Sequence, residues 1–432
     1  KANYADEEDG LHKQKMIYKV MTRIINQTIP KKVINNDAYQ WDPFSNELTR
    51  AGESVEAEPE PDTRYQHIIN NFQALKAMDP YSPLDTYIKR KFEGEMEIPQ
   101  AEVEALFTDF LESDVLKDVG TLVEKRLGRS LEPFDIWYDG FKSRSSIDED
   151  ELTAVTAKRY PDAEAFEAGL PDLLVQLGFN EKKARSICDK IAVDPARGSG
   201  HAWGASMEGQ KSHLRTRIPG EGMDYKGYNI AIHEFGHNVE QTISLYDVDH
   251  YMMNGVPNTA FTEALAFIFQ KRDLQLLGMD EENPRAEALE TLDVLWSAYE
   301  IMGVSLLDMR VWKWLYDHPD ATAEELKDQT IRMARDIWND YYAPVYGVED
   351  SPILAVYSHM VGYPLYLSAY AYGNIIEFQL EQHLKQNDFA GEVQRLFRQG
   401  RLTPDEWMRQ AVGSPIDVSP MLQAAREALR KI

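Results

Sequence analysis

Cysteine is almost absent from this chain, since Cys188 is the only one among 432 residues. A single cysteine cannot form an intrachain disulfide, and no neighbouring motif supports a catalytic thiol. This usage fits the cytoplasm, but an exported protein need not carry disulfides. Cysteine content therefore leaves both compartments open.

Long apolar runs and positive charge are also scarce. No stretch of about 18 apolar residues occurs, so the sequence predicts a soluble protein without a membrane span. Lysine and arginine total 46 against 72 acidic residues, a net charge of −26. That balance argues against nucleic acid or an anionic membrane as a partner. With 43% hydrophobic residues, the chain can bury a large core in two or three domains or lobes.

What the sequence does contain is helical periodicity over most of its length. Amphipathic patterns predict helices over residues 13–27, 65–78, 100–112, 163–177, 286–302, 323–341, 375–385 and 404–411. Residues 51–63 are acidic and broken by two prolines, which predicts a linker. Strand signals are few, and the best lie at residues 214–218 and around Ala202. A mostly α architecture with a small sheet follows.

The most informative motif is His233-Glu234-Phe235-Gly236-His237. Two histidines at i and i+4 project from one helix face, where their ring nitrogens can share a Zn²⁺ ion. The glutamate between them is placed to take a proton from water at that metal. The motif thus predicts one zinc ion per chain and a hydrolytic reaction.

A third ligand is needed to complete such a site. The metzincin pattern is excluded, because it requires Gly and His where this chain has Glu240 and Ile243. A glutamate from a following helix is the other common solution. Residues 260–269 form an apolar helical window, begun by Asn258 or Thr259 as N-cap, in which Glu263 is the only charge. Glu263 is the predicted third ligand, and Asp249 and His250 in the connecting loop are weaker candidates.

These residues resemble a known family. HEFGH followed by Phe261-Thr262-Glu263-Ala264 looks like the gluzincin oligopeptidases of the thimet oligopeptidase and neurolysin type. The pattern is also similar to the angiotensin-converting-enzyme type of peptidyl-dipeptidase. The resemblance implies that His233, His237 and Glu263 bind zinc and that Glu234 is the base. It also implies a two-lobed helical metallopeptidase with a deep channel and a small sheet beside the motif helix.

The resemblance covers roughly residues 130–385. It divides the chain into a helical N-terminal region, 1–130, and a helical zinc-peptidase catalytic region, 131–432. Relatives of this kind usually have longer helical N-terminal regions, and this chain begins with Lys1 rather than Met. We therefore expect a processed or truncated product.

A glycine-rich stretch upstream of the motif extends the match. In both families an edge strand of small and aromatic residues pairs with the peptide substrate, and here that role falls on His201, Ala202, Trp203 and Gly204. Small residues let another backbone approach an open sheet edge. An ordinary glycine loop explains the same residues equally well.

The last matching stretch contains a histidine and several tyrosines. His359, Tyr363, Tyr366 and Tyr370 have spacings of one helix face, while Pro364 is a potential kink. The resemblance implies that His359 and Tyr370 assist at the scissile carbonyl, with Tyr363 and Tyr366 as further substrate-binding residues. An oxyanion is best stabilised by such donors in a water-poor site.

The leading hypothesis is a zinc peptidase acting on short peptides. The alternatives are a catalytically silent peptide-binding relative and a different zinc hydrolase on a helical scaffold. The sequence leaves the cleavage mode open between an oligopeptidase and a peptidyl-dipeptidase. The latter needs a cation for the substrate's terminal carboxylate, and Lys211, Arg215 and Arg217 are the candidates near the presumed edge strand.

Overall fold

Helices dominate the computed structural model, which describes residues 9–142, 147–198, 200–279 and 284–432. The helices in chain order are α1 (Gly10–Asn26), α2 (Thr63–Lys76), α3 (Tyr87–Lys89), α4 (Gln100–Leu111), α5 (Val115–Leu127), α6 (Glu149–Arg159), α7 (Ala163–Gln176), α8 (Glu181–Cys188), α9 (Tyr225–Asp247), α10 (Thr259–Gln270), α11 (Asp273–Leu277), α12 (Pro284–Asp317), α13 (Ala323–Ile337), α14 (Ala343–Tyr346), α15 (His359–Gly362), α16 (Leu367–Leu384), α17 (Phe389–Phe397), α18 (Pro404–Val412) and α19 (Ser419–Lys431). The predicted mostly α class is confirmed. Each predicted helix coincides wholly or partly with an observed one, because amphipathic periodicity is a local property.

In the described part of the chain, six short strands form two separate three-stranded sheets. The strands are β1 (Gln40–Trp41), β2 (Leu48–Arg50), β3 (Glu53–Val55), β4 (Ile191–Ala196), β5 (His201–Trp203) and β6 (Ser212–Arg217). In the second sheet β6 is central, with β4 parallel on one side and β5 antiparallel on the other. This is the predicted sheet, since α9 follows it directly and packs on β6. β5 is one of its edges.

The first sheet was not predicted and overlaps the expected linker at residues 51–63. Its β2–β3 turn has positive φ at Ala51 (52°) and Gly52 (85°). Two positive φ values are typical of a tight hairpin turn, but alanine at the first position hides the usual Asn-Gly signal. The linker prediction is therefore wrong at β3.

The chain divides into two compact units. The first is drawn from Lys1–Gly94, Pro99–Asp139 and Trp296–Ser368. Stacked aromatic rings fill part of its core, with Tyr342 lying 4.5 Å from Tyr299 and 5.1 Å from Trp338 between ring centroids. The Tyr342 hydroxyl donates to the Tyr299 carbonyl at 2.6 Å, so this buried phenol is satisfied by backbone.

The second unit is drawn from Glu95–Ile98, Gly140–Leu295 and Ala369–Ile432, and it contains α9, α10 and the second sheet. Helix α9 begins at its N-cap Asp224, whose side chain accepts from the Gly227 N–H at 2.8 Å. Alternate residues of β6, including Leu214 and Thr216, are buried. Helix α9 is thus fixed at its N-terminus and along one face.

Among the residues that the structure describes, no helix combines the length and the apolar character needed to cross a bilayer.

Candidate metal centre

The two histidines of the motif lie one turn apart on α9. The ring centroids of His233 and His237 are 4.9 Å apart and their planes are nearly perpendicular. Both side chains are largely buried, because α9 is enclosed by β6 and α10. The i, i+4 spacing thus delivers two imidazoles to one point, as predicted.

Glu263 reaches this point from α10. Its N-cap is Asn258, which accepts from the Ala260 N–H at 2.9 Å, as the sequence predicts. The Glu263 Oε2 atom lies 3.4 Å from His233 Nε2 and 4.0 Å from His237 Nε2. A carboxylate from a separate helix therefore converges on both imidazoles.

Gly236 permits the close approach of α9 and α10. A Cβ atom built at this position would lie 2.9 Å from the Ala266 Cα and 3.1 Å from the Phe269 Cβ. Backbone contact of this kind is open to glycine alone. Gly236 of HEFGH therefore brings the glutamate helix within reach of the histidines.

The donor set fits a zinc ion. Ligand atoms of His233, His237 and Glu263 all lie within 4.8 Å of one another. Two imidazoles and a carboxylate at about 2.0–2.2 Å from a tetrahedral Zn²⁺ would lie roughly 3.5 Å apart, close to the distances observed here. Within the described residues this is the one such group. Asp249 and His250 lie outside it and are exposed.

Burial controls the protonation of the site. Burial, together with the nearby His233, lowers the pKa of His237 to about 4. Burial also acts to lower the pKa of His233, but hydrogen bonding to Glu263 leaves that pKa raised. The pKa of Glu234 rises to about 7, mainly through burial, although His233 opposes the rise. A neutral His237 keeps a nitrogen lone pair available for a metal.

The predicted edge strand adjoins Glu234. The Ala202 N–H of β5 hydrogen-bonds the Glu234 carboxylate. Gly200 precedes β5, and a Cβ atom there would lie 2.1 Å from the Ile230 side chain and 3.2 Å from Glu234 Oε1. Ser199 of the same stretch lies outside the described residues. The glycine therefore lets β5 run directly past the carboxylate.

The outward face of the second sheet carries aromatic and basic side chains. Trp203 of β5 is 38% exposed and stacks on His213 of β6, with centroids 4.8 Å apart. The guanidinium of Arg215 lies over the same indole at 5.6 Å. His201 is directly paired with Arg215 in the strand register.

The three candidate cations differ in their partners. Lys211 lies 3.5 Å from a carboxylate of α7, and Arg217 pairs with the N-cap carboxylate of α9 at 2.5 Å. Arg215 makes no ion pair with any residue that the structure describes. Of the three, Arg215 is the cation whose charge is not already matched.

The segment carrying the late histidine and tyrosines is two helices, so the prediction of one shared helix face is wrong. Helix α15 ends before Tyr363, whose φ is −139°, and Pro364 has no N–H to continue it. Leu365 has φ +59° and donates its N–H to the buried Asp308 carboxylate at 2.7 Å. A proline and a distant carboxylate thus break the helix.

Three of these four residues cluster in the first unit. The ring of His359 lies 6.1 Å from that of Tyr363 and 6.3 Å from that of Tyr366, with which it is nearly parallel. Burial lowers the pKa of His359. Tyr370 lies on α16 in the second unit.

Gln270 and Asn229 adjoin the metal centre and were not predicted from the sequence. The His233 Nδ1 atom lies 3.1 Å from the Gln270 Oε1, and the Gln270 amide donates to the Asn229 Oδ1 at 2.8 Å. Asn229 lies four residues before His233 on α9, and Gln270 lies seven residues after Glu263 on α10. These helical spacings were the available signal.

Several solved structures have a fold similar to that of this chain. A protein from Chlamydophila abortus that is named as a peptidase covers 98% of this chain and 73% of its own, with TM-score 0.56 and 12% identity. PZ peptidase A in complex with an inhibitor covers 86% and 66%, with TM-score 0.56 and 14% identity. Trypanosoma cruzi metallocarboxypeptidase 1 covers 85% and 74%, with TM-score 0.51 and 14% identity. No protein-family model matches the sequence, and no curated protein does. This chain therefore shares a fold with structures named as peptidases.

Proposed function

We propose that this chain is a zinc-dependent peptidase that hydrolyses short peptides, of the gluzincin type that the motif resembles. The observation that carries the proposal is the convergence of His233, His237 and Glu263 beside Glu234. The fold shared with structures named as peptidases supports it. The thimet oligopeptidase and angiotensin-converting-enzyme types are both compatible with these residues.

Glu234 is the proposed general base. Zn²⁺ held by the two histidines and Glu263 would supply a Lewis acid that polarises the scissile carbonyl and lowers the pKa of water. Glu234 takes the proton of the attacking water and passes it to the leaving amine. The Ala202 N–H orients this carboxylate, so the same residue joins the base to the edge strand.

The substrate backbone is proposed to add to the free edge of β5. An extended peptide there would pair with Ala202 and present alternate side chains beside His201 and Trp203. Gly204 keeps the end of this edge small. Main-chain hydrogen bonds of this kind bind peptides with little dependence on sequence.

His359 and Tyr370 are proposed to donate hydrogen bonds to the oxyanion. Tyr363 and Tyr366 are proposed as further substrate-binding residues. The family resemblance supports these roles, and the ring cluster around His359 supports Tyr363 and Tyr366 as its neighbours.

Arg215 is the proposed partner for a substrate carboxylate. Its guanidinium lies over Trp203 at the edge strand and has no ion pair among the described residues. In a chain of net charge −26, an unmatched cation beside a peptide edge favours anionic groups of the substrate.

The decisive experiment is digestion of a mixed peptide library with zinc-loaded protein, followed by mass spectrometry of the products. Internal cuts would indicate an oligopeptidase, whereas serial release of dipeptides from the C-terminus would indicate a peptidyl-dipeptidase. Glu234→Gln is the control, because it keeps the metal ligands and deletes the base. Turnover should fall by several orders of magnitude in this variant, with zinc still bound.

Two outcomes would overturn the proposal. Wild-type protein that binds zinc and peptides without cleaving them would be the catalytically silent relative. A metal-replete Glu234→Gln variant with wild-type turnover would require a different mechanism.

A further inference from the structure

A chain of three polar side chains extends from the far side of His233. His233 Nδ1 lies 3.1 Å from Gln270 Oε1, Gln270 Nε2 donates to Asn229 Oδ1 at 2.8 Å, and Asn229 Nδ2 donates to Asp273 Oδ2 at 2.6 Å. Asp273 is 6% exposed and begins α11. The chain thus connects the nitrogen of His233 that faces away from the metal centre to a buried carboxylate.

The Asp273 carboxylate determines which group donates and which accepts in each of these hydrogen bonds. An ionised carboxylate only accepts hydrogen bonds, and Asp273 accepts from Asn229, from the Tyr225 hydroxyl at 2.5 Å and from the Leu274 N–H at 2.6 Å. Asn229 must therefore turn its NH₂ group toward Asp273 and its oxygen toward the next amide.

The orientation of the Gln270 amide is determined in the same way. Gln270 must turn its NH₂ group toward the Asn229 oxygen, which leaves its own oxygen facing His233. An oxygen acceptor at that point requires His233 to carry a proton on Nδ1. The opposite nitrogen, Nε2, faces the Glu263 carboxylate and is the atom of His233 that would bind the metal.

We propose that Asp273, Asn229 and Gln270 are positioning residues, a one-way hydrogen-bond relay that fixes the tautomer and the ring orientation of His233 for zinc. The inference rests on the metal site of the proposed function. Outer partners of metal-bound histidines typically change metal affinity by about 10- to 100-fold when removed.

Two of the three relay residues lie on the helices that supply the ligands. Asn229 precedes His233 by one turn on α9, and Gln270 follows Glu263 by two turns on α10. Phe267 packs its ring 5.3 Å from that of His233 and closes the apolar side. The His233 ring is therefore held between an apolar contact and a directed acceptor.

Zinc affinity, measured by competition with a chelator, tests the relay. Gln270→Leu and Asp273→Asn should each weaken zinc binding about 10- to 100-fold. Gln270→Glu keeps an acceptor facing Nδ1 but loses the donor to Asn229, so it should restore part of the affinity lost in Gln270→Leu. A purely structural role predicts no such rescue, since burying a new charge is the larger perturbation.

Gln379→Leu is the matched control. Gln379 is a buried glutamine of α16 that donates to the Pro415 carbonyl at 3.0 Å and accepts from the Asp417 N–H at 3.1 Å. Its loss should leave zinc affinity unchanged. Wild-type affinity in both Gln270→Leu and Asp273→Asn would overturn the relay, as would an equal loss in Gln379→Leu.

A second measurement separates the relay from the proposed function. In zinc-loaded protein labelled with ¹⁵N-histidine, NMR should show His233 bound to zinc through Nε2 and protonated on Nδ1, and Gln270→Leu should speed the exchange of the Nδ1 proton with water. Zinc bound through Nδ1 in the wild type would overturn the relay even if peptides are cleaved. Zinc bound through Nε2, with a protected proton on Nδ1, would support the relay even if the protein cleaves no peptide.

Discussion

Gly236 of α9 lies against the backbone of Ala266 on α10, so that a Cβ atom at residue 236 would be 2.9 Å from the Ala266 Cα. We expect Gly236→Ala to push α10 away from α9 and to destabilise the fold by about 1–3 kcal/mol, as overpacking does. Because Glu263 lies on α10, zinc affinity should fall with it. Thermal unfolding and chelator competition measure the two effects.

Gly362→Ala is the control for this prediction. A Cβ atom at residue 362 would meet nothing within 4 Å, so neither the melting temperature nor zinc affinity should fall. Unchanged zinc affinity in Gly236→Ala would show that the helix spacing does not limit the metal site.

Glu263 should be the third ligand. Glu263→Ala is expected to weaken zinc binding by more than the roughly 10- to 100-fold typical of losing an outer partner. Asp249→Ala and His250→Ala remove exposed groups outside the cluster and should leave affinity unchanged. A metal titration in which either loop variant loses zinc while Glu263→Ala retains it would contradict the assignment.

Tyr370 should act at the oxyanion. Tyr370→Phe deletes one hydroxyl donor, so kcat should fall roughly 10²–10³-fold while KM is nearly unchanged. Tyr363→Phe and Tyr366→Phe should have smaller effects on kcat. A large loss in Tyr366→Phe or Tyr372→Phe, together with a mild one in Tyr370→Phe, would assign the oxyanion donor to whichever tyrosine shows the large loss. The assignment of the zinc ligands would not change.

Arg215 should recognise a carboxylate. Arg215→Gln is expected to reduce kcat/KM for substrates bearing that carboxylate by about 10- to 100-fold, the range for losing a hydrogen bond to a charged group. Peptides with free or amidated C-termini, with and without acidic side chains, identify which carboxylate is bound. Lys211→Gln is the control and should change little. The reverse result would assign the contact to Lys211.

Asp308 should make stability depend on pH. Burial raises its pKa to about 7, so the folded chain holds the proton over a range in which the unfolded chain, with a pKa of about 4, has lost it. The free energy of unfolding should therefore fall through this group as pH rises from about 4 to about 7. Asp308→Asn keeps the acceptor for Leu365 but cannot ionise. Its melting temperature relative to wild type should rise over that interval.

Asp317→Asn, at the exposed end of the same helix, is the control. Its melting temperature relative to wild type should stay constant between those pH values. A constant difference for Asp308→Asn as well would show that Asp308 is ionised in the folded state throughout.

Local features of this protein are predictable from its amino-acid sequence. Helices follow from amphipathic periodicity, and a pair of histidines at i and i+4 shares one helix face in any fold that keeps the helix. The position of Glu263 beside the two histidines was also predictable, because a lone charge in an apolar helix needs a buried partner. The edge strand at Ala202 was predictable from its small residues, since they allow a second backbone to approach.

Other features depend on contacts between residues far apart in the sequence, and these contacts form only in the folded chain. The turn at Leu365 is held by Asp308, 57 residues away in the sequence. The helical spacing of the residues on either side of Pro364 therefore could not show that they lie on two separate helices. The choice of Arg215 among three cations depends on which carboxylates fold beside the other two. Gln270, the acceptor for His233, lies on α10 and is oriented by Asp273 of α11 through Asn229. Hydrogen-bond direction is set by the whole series of partners rather than by any one residue.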